Sequence, residues 1–313
     1  GVAVTGFTDN GAGSYSATYT VLEGHTDRAA GDAIPVSFVL ADAAGNSSDT
    51  FTTAISQASD AIDANSPAIS SVSIADTAMN VGDVVTVSIT ASEAGLTLNA
   101  GTINGVAVTG FTDNGAGSYS ANYTILEGHT DRAAGDAIPV SFILEDAAGN
   151  ASDTFTTAIS QSSDSIDANS PTIISVSIAD TAMNVGDVVT VSIIASEAGL
   201  TLTSGSINGV AVTGFTDNGA GSYSATYTVL EGHTDRAADT TIPVSFVLAD
   251  TAGNVSDTFT TAISQASDAI DANSPTISSV SIADTAMNVG DVVTVSITAN
   301  EAGLILTSGS ING

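Results

Sequence analysis

The chain contains no cysteine, no tryptophan and no lysine, and its three arginines, Arg28, Arg132 and Arg236, face 34 acidic residues among 313. Without cysteine there is neither a disulfide framework nor a thiolate metal site, so stability has to come from packing, from ions, or from both. The formal charge of −31 repels phosphate backbones and anionic lipid, because binding either requires cationic side chains that displace counterions. Nucleic acid is therefore excluded as a partner, and so is direct membrane insertion, since no run of 18 apolar residues exists. The opening GVAVTGF has no cationic n-region and no cleavage site.

Catalytic signatures are also missing. No G-x-S-x-G, P-loop, H-E-x-x-H or calcium-binding nonapeptide occurs. The histidines His25, His129 and His233 each sit in an EGHTDR loop, where a His–Asp pair has no nucleophile to activate. The expectation is a non-enzymatic protein whose histidines are loop residues near acids.

Aromatics make up 5% of the chain, and few aromatics with high net charge is one signature of disorder. Against it, 43% of residues are hydrophobic and they are patterned. GVAVTGFTDNGAGSYSA begins at Gly1, Gly105 and Gly209, a step of 104 residues. That period is too long for a solenoid repeat and matches a complete small domain.

Within one repeat the period is two. Val85, Val87 and Ile89 alternate with Thr86, Ser88 and Thr90, and Tyr15, Ala17, Tyr19 and Val21 alternate with Ser16, Thr18 and Thr20. Each such stretch is a strand with one dry and one wet face. IPVSFVLAD, SDTFTTAIS, ISSVSIAD, GLTLNAGTIN and VAVTGF read likewise, and Asn104-Gly105 marks a two-residue hairpin. Seven short strands in about a hundred residues predict an all-β chain of tandem seven-stranded antiparallel β-sandwiches, immunoglobulin or fibronectin III-like, with a jelly-roll-like sandwich as the alternative.

Proline suits the entry to a first strand better than any interior position. Pro67, Pro171 and Pro275 therefore divide the chain. Residues 1–66 read as the C-terminal part of a repeat, 67–170 and 171–274 as complete repeats, and 275–313 as the N-terminal part of another. The 1–66 and 275–313 pieces would each leave a core face open, so they are expected either to belong to a longer array or to complete one another head to tail between copies. Beads about 40 Å long, joined end to end, would form a rod.

In an up-and-down meander, successive loops alternate between the two poles. Glu93, Asp113 and Asp146 then lie at the entry pole of their repeat, and Asp76, Asp83, Glu127, Asp131 and Asp136 at the exit pole. The junctions themselves read SDAIDANSP or SDSIDANSP. Three groups of oxygen-bearing side chains should gather there: Glu23, Asp27, Asp60, Asp63, Asn65, Glu93 and Asp146 at the first; Glu127, Asp131, Asp164, Asp167, Asn169, Glu197 and Asp250 at the second; Glu231, Asp235, Asp268, Asp271, Asn273 and Glu301 at the third. So many carboxylates repel unless something positive sits among them. Ca²⁺ takes six to eight oxygen ligands and needs no His or Cys, whereas Mg²⁺ prefers to keep its water. A solvated acidic spacer is the plainer alternative. It would be expected to charge the strand faces as well, and those are Ser and Thr.

Two smaller expectations follow. Asn46, Asn150 and Asn254, in N-x-S sequons, should serve turns needing positive φ. The arginines should pair with neighbouring acids.

The period, the DAAGN turn, the IDANSP junctions and the lack of Cys and Lys together resemble the tandem bacterial immunoglobulin-like repeats of giant secreted adhesins related to RTX and biofilm adhesins. The resemblance covers the whole chain. It implies a calcium-rigidified extender at the cell surface, exported by a type I system, that holds a terminal ligand-binding domain lying outside this segment. The junction also resembles the cadherin linker, with Asp164, Asp167, Asn169 and Pro171 in the place of its acidic and proline positions and Thr130 to Arg132 in the place of its short acidic–basic motif. The cadherin ligands are adjacent, and here they are more widely spaced. A carbohydrate- or protein-binding immunoglobulin-like module is the other reading of the same fold.

Overall fold

The computed structural model describes residues 1–312, and every regular element among them is a strand. The chain divides by internal contacts into Gly1–Asn169 and Ser170–Gly313. In the first unit, residues 1–66 supply β1 (Thr5–Gly11) and β2 (Ser14–Thr18), paired antiparallel. The first whole repeat follows with β3 (Ile69–Ser73), β4 (Met79–Asn80), β5 (Val84–Ala91), β6 (Thr97–Ile103), β7 (Val106–Ala107), β8 (Thr109–Gly115), β9 (Ser118–Thr124), β10 (Val140–Glu145) and β11 (Ile166–Asp167). One sheet has the order β3-β5-β9-β8 and the other β10-β6-β7. The second sheet is extended by bridges from Ile138, Phe142 and Glu145 to Ile159, Phe155 and Ala151.

This order corrects the meander. The chain changes sheet between β5 and β6, between β7 and β8 and again between β9 and β10, so β5 pairs with β9 instead of with its successor. The architecture is a β-sandwich of immunoglobulin and fibronectin III type, present twice over.

In the second unit, β12 (Ile173–Ser177), β13 (Met183–Asn184), β14 (Val188–Ala195), β15 (Thr201–Ile207), β16 (Val210–Ala211), β17 (Thr213–Gly219), β18 (Ser222–Thr228), β19 (Val244–Ala249) and β20 (Ile270–Asp271) repeat the pattern. After them come β21 (Ile277–Ile282) and β22 (Val295–Ala299), an antiparallel pair. The stretch 303–312, which corresponds to the GLTLNAGTIN strand, forms no strand among the described residues. Its counterparts β6 and β15 each pair along their length with β10 and β19.

Alternation along the strands builds the cores. Val87, Ile89, Tyr119, Tyr123, Ile138, Phe142 and Leu144 are all buried to within 1% of full. One contiguous core runs from Val72 to Ala168 and a second from Val176 to Ala272. The same positions in residues 1–66 stay open: Tyr15 is 47% exposed and Phe38 37%, against 1% for Tyr119 and 0% for Phe142. The difference is what the first three strands of a repeat cover. Above that face lies a cavity of about 850 Å³ lined by Val2, Phe7, Tyr15, Tyr19, Ile34 and Phe38 among others.

The Asn104-Gly105 hairpin forms as expected, with φ of 51° and 80° and Ile103 opposite Val106. The VAVTGF strand is broken at Val108, whose N–H returns to Gly101 O at 3.0 Å. Positive φ in the DAAGN turn falls on Gly149 (φ 94°), not on Asn150. Asn150 instead donates through N–H and Nδ2 to the Asp146 carboxylate.

A candidate metal junction between repeats

The first junction lies wholly inside one unit. The loop after β2 grips the outgoing linker: Gly24 N–H donates to Ala64 O at 2.8 Å, and Arg28 and Ile62 exchange main-chain bonds at 2.8 and 2.9 Å. Asp27 Oδ1 accepts from Ala64 N–H at 2.9 Å and Oδ2 from Asn65 Nδ2 at 2.7 Å. Glu23 Oε2 accepts from Ser66 N–H at 3.0 Å. Asp131 repeats the grip on Ala168 and Asn169 at 2.8 and 2.7 Å. Asp235 does so on Ala272 and Asn273, with Glu231 on Ser274. Thus Glu23, Asp27, Asp131, Glu231 and Asp235 hold the linker by its amides, which fixes where their carboxylates stand.

The receiving pole is set by the next repeat. Linker and loop are joined where Ala68 N–H donates to Ser92 Oγ and Ser92 N–H to Ala68 O. Glu93 is positioned through its main chain, since the buried Tyr119 hydroxyl donates to Glu93 O at 2.8 Å and accepts from Leu96 N–H at 3.0 Å. Gly117, at φ 76°, lets the β8–β9 turn close on Ala91 O, which a Cβ there would meet at 2.5 Å. Asp113 completes the pole by accepting from Gly95 N–H. Asn150 Nδ2 reaches back to Asp63 O at 3.5 Å, joining the two repeats across the linker.

Electrostatics single out Glu93. Burial pushes its carboxyl up, and Asp146, Asp63 and Asp27 each push it further up. These neighbours come from the turn after β10, the linker and the preceding repeat. At Asp146 burial raises the carboxyl, but the Asn150 side chain and the N–H groups of Asn150, Ala148 and Gly149 outweigh it and leave it below the usual range. Asp42 is lowered in the same way, chiefly by Asn46. The donor set at this junction is oxygen throughout, which suits a hard cation. Among the described residues no three His, Asp or Glu side chains stand close enough to hold a metal ion as they are placed, so an ion would have to draw them in.

Other expected members lie elsewhere. Asp60 and Asp164 serve turns, accepting from Gly31 and Gln57 and from Gly135 and Gln161 respectively. Their counterpart Asp268 is fully buried. Asp167 and Asp271 accept from Asn169 N–H and Asn273 N–H two residues on. In the second unit, the Tyr223 hydroxyl donates to the main chain of Glu197, and Asp250 accepts from Asn254. Glu301 is exposed in the loop after β22, and Glu127 sits in the β9–β10 loop.

Arg132 and Arg236 are not held as expected. Arg132 Nε donates to Asn104 Oδ1 at 3.0 Å and Arg236 Nε to Asn208 Oδ1 at 2.9 Å. Asn104 is itself buried and donates to Thr130 O, so the hairpin asparagine and the arginine lock the linker-gripping loop. His129 braces that loop, its Nδ1 accepting from Leu126 N–H at 3.1 Å. The Arg132–Asn104 lock was hidden in the sequence because it joins residues 28 apart. The spacing of Asp and Asn in DAAGN was the one visible hint of the amide that crosses to Asp63.

No family model matches the chain, and no curated protein matches it. Among solved structures it is similar to a bacterial ice-binding adhesin of 1.5 MDa, at 24% identity and a TM-score of 0.31 over 74% of this chain and 72% of that one. It is also similar to fibronectin III-like modules of Clostridium thermocellum CbhA, at 13% identity and a TM-score of 0.29 over 65% of this chain and 94% of that one. A third likeness is to the tandem immunoglobulin repeats of Dlar, at 14% identity and a TM-score of 0.18 over 62% and 96%. None of these scores reaches 0.5, and no function passes from them to this chain.

Proposed function

We propose that the chain is a structural extender of a secreted bacterial surface adhesin or extracellular filament, stiffened by calcium at the junctions between repeats. The carrying observation is Glu93, which burial and three carboxylates from the linker and both flanking repeats all push toward the protonated form. A dication among them converts that repulsion into a cross-link. In this reading Asp27 and Asp63 bring the preceding repeat and linker to the ion, Glu93 and Asp146 bring the following repeat, and Asn65 and Asn150 hold the carboxylates in place. The bound ion supplies charge neutralisation and oxygen coordination only. Neighbouring repeats, or copies of the chain meeting head to tail, are the partners, and the adhesive domain lies outside this segment.

Nothing favours the carbohydrate-binding reading in the whole repeats. Phe111 stacks on Tyr119 and Phe215 on Tyr223, each at 5.2 Å, but Tyr119 and Tyr223 are only 1% exposed, so the pairs present no open platform. The test of the extender reading is Asp63→Asn with Glu93→Gln in the full chain. Calorimetric titration should show the ions of one junction lost while the melting of the whole repeats is kept. Undiminished calcium binding would overturn the assignment.

A further inference from the structure

Asp164 closes a turn in the first whole repeat by accepting from Gly135 N–H at 3.3 Å and Gln161 N–H at 3.1 Å. Asp60 accepts from Gly31 and Gln57 in the same way. The second whole repeat alters the donor side: Asp239 stands where the others have Gly31 and Gly135, and Thr240 where they have Asp32 and Asp136. Asp239 takes φ 62°, and its N–H turns to Gln265 O at 3.1 Å. Asp268 is 0% exposed and both its carboxylate oxygens are left without a hydrogen-bond partner. A buried carboxylate without donors is strongly disfavoured unless a cation or a proton compensates it.

We propose that Asp268 and Asp239 form a calcium site private to the second whole repeat. The substitution removes a donor and brings a second carboxylate to the turn that the first one faces. There is room for it, since a Cβ built on Gly135 meets only Gln161 O, at 3.7 Å. The corresponding carbonyl of Gln265 adds a third oxygen at the same edge. Two carboxylates, a carbonyl and water make a hard oxygen site, weaker than a full protein cage. It lies inside one repeat and does not depend on the junction reading.

The test returns positions 239 and 240 to the residues of the first whole repeat, with Asp239→Gly and Thr240→Asp in the full chain, and counts bound Ca²⁺ by isothermal titration. The rewritten chain should bind one ion fewer than the original, and Asp268→Asn should lose the same ion. The rewritten chain should also melt higher than the original in chelator, because Asp268 regains its N–H donors. If the junctions bind nothing, the original binds one ion and the rewritten chain none. Equal stoichiometry for original and rewritten chains would overturn the proposal, and that is also the outcome if Asp268 holds a proton.

Discussion

Asp131→Ala should free the linker without unfolding the repeat that carries it. The Asp131 carboxylate accepts from Ala168 N–H at 2.8 Å and Asn169 Nδ2 at 2.7 Å, and both bonds vanish in the variant. A hydrogen bond to a charged group contributes about 1.5–3 kcal/mol, and we take about 1 kcal/mol for each here because the carboxylate is exposed and screened. Roughly 2 kcal/mol in the local opening equilibrium corresponds to about 30-fold faster amide exchange at the linker. Hydrogen exchange read by mass spectrometry can address one linker, because SDSIDANSP differs from its two copies at Ser165. Exchange in that peptide should accelerate by about an order of magnitude or more, while the Phe142–Phe155 bridge keeps its protection. Unchanged exchange at Ala168 would refute the grip, and loss of protection throughout the repeat would show Asp131 to be part of the core instead.

Gly101→Ala should lower the melting temperature of its repeat, since the added Cβ meets Phe142 Cε1 at 2.8 Å and Val108 Cγ2 at 3.0 Å; overpacking of about 1–3 kcal/mol, less about 0.4–1 for the stiffer unfolded chain, leaves a drop of several degrees in a thermal scan. Tyr119→Phe strands Leu96 N–H and frees Glu93 O, so it should cost about 1–3 kcal/mol by denaturant melting and weaken calcium binding at the first junction. In chelator, the raised Glu93 carboxyl means the folded chain binds more protons than the unfolded one. Its contribution therefore falls as pH rises from the ordinary value of 4.5 through the folded value, and Glu93→Gln should flatten that slope. Asp146 has the opposite sign, stabilising above 3.8 and losing its contribution as pH falls through its lower folded value.

The strands were readable because period-two alternation depends only on side-chain polarity, and the positions it marked, from Val87 to Phe142, are the buried ones. Strand order was not readable. Nothing local in Ser92 to Gly95 says whether the chain turns back beside β5 or crosses to the facing sheet, and the meander failed there. At the junction the acidic composition was visible, but not which acids do what. Asp164 and Asp167 are three residues apart, yet one is buried in a turn and the other lies on the linker, a difference fixed by Gly135 and Asn169. Arg132 and Arg236 show the same limit, because an acidic composition suggested carboxylate partners and the fold delivered asparagine oxygens.

Whether calcium steadies the junctions is decided by melting the Asp239→Gly/Thr240→Asp chain in calcium and then in chelator, so that only junction ions contribute. An ion that binds only the folded junction adds roughly 1.4 kcal/mol at about tenfold excess over its Kd. The melting transition should fall by several degrees in chelator and return when calcium is restored. Superimposable curves at millimolar calcium and in chelator would contradict it.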